Sequence, residues 1–161
     1  MHDHAKTAAL RVAARFIAGA SDTPNFDAAW KLNAETKLGA ICDRAARLAD
    51  KAKARKGTPD DLVKLAETQA DLCYKALDLL RPILSHGRRE LEPFARHDWD
   101  SVKQARLLVD ALHQVDDTRN QILGGRREMP SYDLIPLVNN AFLHLSTLEQ
   151  TYKQFRATYE H

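Results

Sequence analysis

The sequence holds little that could cross-link the chain or interrupt it. Only two cysteines occur, Cys42 and Cys73, far apart and without the spacing of a metal site. A disulfide framework is therefore not expected, which fits a reducing compartment. Glycine and proline are scarce, six of each, and they fall in clusters that punctuate the chain. No apolar run approaches the ~20 residues that span a bilayer. Arg11 and Arg15 interrupt the apolar stretch nearest the start, so no secretory leader is expected. Sustained alternation of apolar and polar residues is absent, as are Asn-Gly and Asp-Gly turns, which argues against hairpins and sheets. A charge excess of one sign is also lacking. The net charge is +2, so the whole chain argues neither for nucleic acid nor for an anionic membrane, and any basic surface must come from local segregation.

What remains is rich in Ala, Leu, Lys, Arg, Glu, Asp and Gln, mostly good helix formers. With 161 residues, 44% of them apolar and 29% charged, the expectation is one soluble, cytoplasmic domain over 1–161. Its predicted class is all-α: a bundle of about five helices, mostly antiparallel, with a long second helix and a heptad-patterned last one.

The first predicted helix covers 5–20 and ends at a breaker cluster over 21–25. The second runs over 26–56, with a stripe of Trp30, Ala34, Leu38, Ile41, Ala45, Leu48 and Ala52 in steps of four and three. Gly57-Thr58-Pro59-Asp60-Asp61 then gives a stop and a start: glycine to end one helix, threonine to cap the next, proline at its first position and acids at its positive end. The third helix is predicted to reach residue 80 or 84, with Pro82 ending or kinking it. Residues 85–98 form a connection with room for a short helix over 91–96. The fourth helix covers 99–123 and stops at Gly124-Gly125, leaving 126–131 as a loop. The fifth covers 133–159. Its apolar residues Leu134, Val138, Ala141, Leu145, Leu148, Tyr152, Phe155 and Tyr159 keep a heptad rhythm, the pattern of a helix that packs at a shallow angle on another. The partner helix is either in this chain or in a second molecule. In the latter case Leu134, Val138, Leu145, Leu148, Tyr152 and Phe155 form the interface.

The most informative polar feature is on the second helix. Lys37, Arg44, Lys51 and Arg55 share a narrow wedge beside the apolar stripe, with Arg47 next to them, and Glu35, Asp43 and Asp50 lie on another side. As an anion track, such a row neutralises successive phosphates and binds RNA or DNA without regard to sequence. As a solvated flank, it covers the core edge with aliphatic stems and pairs with acids on a neighbouring helix. Arg88-Arg89 and Arg126-Arg127, each after a glycine, are candidate extensions of a basic surface. Trp99, Tyr132 and Tyr159 are candidate stacking platforms.

Arg81-Pro82-Ile83-Leu84-Ser85-His86 places an arginine shortly before a histidine at a helix end. It resembles the Arg–His motif of the HEPN ribonucleases, a family of helical bundles. That resemblance implies metal-independent RNA cleavage with Arg81 and His86 acting on the scissile phosphate. It covers six residues, and Pro82 stands where the family usually has a polar residue. The seven histidines form no metal constellation, and no Glu-x-x-His pair, glycine-rich phosphate loop or Gly-x-Ser-x-Gly element is present. No metal or cofactor is expected.

The favoured expectation is a non-catalytic helical subunit or accessory factor that binds an RNA or DNA backbone within a larger nucleoprotein assembly. It is similar in size and architecture to the helical small subunits of CRISPR effector complexes. The alternative is a protein–protein interaction or oligomerisation module that binds no nucleic acid. A HEPN-like ribonuclease ranks third.

Overall fold

A computed structural model of the chain describes residues 28–54, 58–91 and 103–159. These contain four α-helices: α1 (Ala28–Lys53), α2 (Pro59–Leu91), α3 (Lys103–Glu128) and α4 (Leu134–Tyr159), with a turn of 3-10 helix, Ser131–Asp133, ahead of α4. No strand occurs among the described residues, and no helix among them is long and apolar enough to cross a membrane. The helix predicted over 5–20 lies outside the described residues, as do Trp99 and residues 92–98 of the predicted connection.

The start of α2 follows its local chemistry. The Thr58 backbone N–H donates to Asp61 Oδ2 at 2.8 Å, and the Asp61 N–H donates back to Thr58 Oγ1 at 3.3 Å. This reciprocal pair satisfies two donors that the first helical turn leaves open. Those hydrogen bonds from Thr58 favour the charged carboxylate and hold the Asp61 carboxyl below its ordinary range.

Two boundaries differ from expectation. Pro82 does not end α2, which continues through Gly87 to Leu91. An internal proline removes one hydrogen bond, a local loss that the rest of a 33-residue helix absorbs. Residues 85–91 are accordingly helix and not a connection. Gly124-Gly125 does not stop α3 either, and Arg126 and Arg127 occupy its last turn instead of a loop. Gly125 is buried, and a Cβ there would come within 2.8 Å of Met129 Sδ. The missing side chain is thus room for the methionine that folds back at the helix end. The stop comes from Pro130, whose ring disfavours helical backbone at the residue before it; Pro130 itself is extended, at φ −55 and ψ 143.

The core is continuous. Leu38, Ala45 and Ala52 of α1 meet Ala66, Cys73 and Leu80 of α2, Leu112 and Ile122 of α3, and Leu145, Tyr152 and Phe155 of α4. The heptad residues Leu134, Val138, Leu145, Leu148, Tyr152 and Phe155 are all at most 1% exposed. The seam of the last helix is therefore consumed inside its own chain, and a second molecule could reach these six side chains only by opening the core.

Specific contacts join the helices along their length. From α1 to α4, Glu35 pairs with Arg156. A Cβ added to Gly39 would lie 3.0 Å from Glu149 Oε2, and Cys42 Sγ–H donates to the Leu145 carbonyl at 3.2 Å. As the position rises on α1, the partner falls on α4. Between α2 and α3, Arg126 pairs with Glu67 at 3.6 Å, and the Arg119 guanidinium lies 5.2 Å from the Tyr74 ring centre. Gln69, fully buried, donates from Nε2 to the carbonyls of Ala45 and Val138 at 3.1 and 3.0 Å, so one α2 side chain engages both α1 and α4.

Candidate nucleic-acid interface

The helical period places Lys37, Arg44 and Lys51 one above another, because seven residues make nearly two full turns. The three span 14 positions, or ~21 Å at a rise of ~1.5 Å per residue. Arg47 sits beside them. All four side chains are exposed. The ion pairs among the described residues lie elsewhere, at Arg81–Asp78, Arg126–Glu67, Lys153–Glu149 and Arg156–Glu35. None of the four strip cations has a hydrogen bond or ion pair with another described residue. Arg55, the remaining member of the predicted strip, lies outside the described residues.

The charge across from the strip decides how much of its field survives. The neighbouring bank is α2, where Lys64, Lys75, Asp71 and Asp78 are exposed. Two carboxylates of that bank are engaged within α2 itself. Asp61 accepts from the Thr58 N–H, and Asp78 lies 3.2 Å from Arg81. Asp78 is thus countered by Arg81, Asp61 keeps its charge, and Lys64 and Lys75 of α2 add to the cations of α1.

The other nominated residues separate. Arg126 belongs to the α2–α3 seam through Glu67, while Arg127 is exposed. Arg88 and Arg89 fall on the helical backbone of α2, with side chains outside the described set. Tyr132 is 62% exposed in the 3-10 turn; the side chain of Tyr159 is outside the described set. Compared with known proteins, the chain matches no family model, no curated protein and no solved structure. What the surface does must therefore be argued from its own chemistry.

Nucleophilic and acid–base groups give that chemistry little to work with. Burial pushes the Cys42 and Cys73 thiols up to about 12, with Glu149 and then Asp43 adding to the effect at Cys42, so neither forms a thiolate near neutrality. Among the described residues no group of His, Cys, Asp and Glu is arranged to hold a metal ion. The helix runs unbroken from Arg81 to His86, which turns the two positions ~140° apart about the axis. Arg81 is also held by Asp78 and lies 6.0 Å from the Tyr74 ring centre.

Sequence reasoning did not single out Tyr74, Lys64 or Lys75. Their signal was the polar flank of α2, where positions 64, 68, 71, 75 and 78 repeat in steps of four and three. It becomes meaningful only once that flank is known to face the strip on α1.

Proposed function

We propose that this chain is a non-catalytic helical subunit that binds the phosphate backbone of RNA or DNA within a larger nucleoprotein assembly. A cytoplasmic setting and an up-down-up-down, antiparallel bundle belong to the same proposal. The observation that supports it is the strip itself: Lys37, Arg44, Arg47 and Lys51 are exposed and take no described partner. Exposed cations without a described partner keep their hydration and their field. Meeting phosphates, they release the counterions that those phosphates hold, which drives association.

Binding of a fluorescent oligonucleotide, followed by anisotropy from ~50 to ~200 mM salt, tests the proposal. Four phosphate contacts predict that log K falls against log salt with a slope of about −3 to −4. Replacing all four residues by Gln removes most of that slope and weakens binding alike for unrelated sequences. An unchanged slope in the quadruple variant would remove the strip from the function.

The oligomerisation alternative loses its stated basis, because the six heptad residues nominated for it are buried in the chain's own core. The ribonuclease alternative gains no geometric support, since the backbone between Arg81 and His86 does not bend them toward one point.

A further inference from the structure

The strip is one bank of a groove between α1 and α2. Of the neighbouring helix pairs, α1 and α2 pack least extensively, and they leave two hollows. The narrower, about 390 Å³, has Lys37 and Lys75 at its rim and Ile41 and Leu79 inside it, with Tyr74 on its wall. The wider, about 620 Å³, has Lys51 and Lys64 at its rim and Leu65 inside. Ile41, Leu65 and Leu79 are half-buried. Tyr74 is 46% exposed, though Arg119 and Arg81 lie 5.2 and 6.0 Å from its ring centre. Those guanidiniums help fix the ring by cation–π attraction.

A groove with cationic rims and an apolar floor suits a ligand that carries charge on one edge and flat apolar faces on the other. An unpaired strand is such a ligand, because its phosphates and base faces are both accessible. A duplex keeps its base faces inside the stack and offers the groove only phosphates. Carboxylates are present too. Asp78 lines the narrower hollow and is paired with Arg81, so Lys37 and Lys75 dominate there; Asp50 and Asp61 line the wider one and stay charged, matching Lys51 and Lys64 in number. We propose that the α1–α2 groove takes a single unpaired strand, with phosphates along Lys37, Arg44 and Lys51 and bases turned onto the apolar floor, one of them against Tyr74. This rests on the backbone-binding function above and specifies its ligand. The ~21 Å between Lys37 and Lys51 accommodates about six nucleotides stacked at ~3.4 Å each, and fewer if the strand is extended.

The test compares the full chain's affinity for a labelled oligothymidylate of ~20 nucleotides with that for a mixed-sequence duplex of the same length, at low salt. The single strand is expected to bind at least about ten-fold more tightly. Tyr74→Ala should lower single-strand affinity about ten-fold, and Tyr74→Phe, which keeps the stacking face, should restore it. Circular dichroism on each variant separates loss of stacking from loss of fold. Equal affinity for the two probes overturns the single-strand assignment and leaves backbone binding in place, and a preference that survives Tyr74→Ala overturns the placing of a base on Tyr74. Failure of both probes to bind overturns both proposals.

Discussion

The two flanks of α1 use their polar groups in opposite ways. Toward α4, Glu35 is held by Arg156, Gly39 makes way for Glu149, and the Cys42 thiol donates to a backbone carbonyl. Toward α2, Lys37, Arg44 and Lys51 face a rim that carries Lys64 and Lys75 beside Asp61 and Asp78, the latter paired with Arg81. On one flank polar groups are spent on assembling the bundle; on the other they are left to solvent. The contrast teaches that a stripe of basic residues is not informative in itself. Its meaning depends on whether the neighbouring helix brings free carboxylates to the same level.

The largest expected effect that would sharpen this contrast lies on the α4 side. Leu145→Ala removes a fully buried side chain and should cost about 2–5 kcal/mol in urea unfolding. The quadruple Gln variant of the strip should change stability by less than about 0.5 kcal/mol, as exposed substitutions do. A strip variant as destabilised as Leu145→Ala would mean the cations belong to the fold. The next comparison sets one arginine against another. Arg156→Gln breaks a partly buried pair and should cost about 1 kcal/mol, whereas Arg44→Gln should be near neutral. Equal losses in paired denaturation curves would erase the distinction between the flanks.

The smallest effect concerns the groove-side acid that has a folding duty. The carboxyl of Asp61 titrates below its ordinary value of 3.8 because the charged form is hydrogen-bonded by Thr58. A depressed folded-state value means that the stabilisation is complete above the ordinary value and disappears as pH falls through the lower one. Asp61→Asn should therefore differ from the parent near neutral pH and converge with it in strong acid. Thermal melts that run parallel at every pH would exclude a role for the carboxylate charge.

Much of the fold could be read from the sequence because buried positions repeat with the helical period. The stripe Ala34, Leu38, Ala45 and Ala52, and the heptad of α4, are the observed core, and the Thr58–Asp61 box starts α2 where its chemistry indicates. Helix ends were less legible, since glycine and proline act through context. Gly124 and Gly125 lie inside α3, and the flexible Met129 side chain fills the room beside Gly125, a placement that local propensity does not encode. Of the site, the cations of α1 were legible because they share a helix. Tyr74, Lys64 and Lys75 were not, because their relevance depends on which face of α2 turns toward α1.

Gln69 has a consequence for how the molecule can respond to a partner. Its amide is anchored on α2 and reaches acceptors at Ala45 and Val138 on two other helices at once. Shifting either helix by one turn, ~5.4 Å, strands a donor in an apolar interior, where an unmet polar group costs about 1–3 kcal/mol. Gradual sliding of α1 along α2 is thereby penalised at its first step. The spacing between the two rims of lysines is therefore preset, and the strand proposed for the groove would have to adapt its own conformation to the protein.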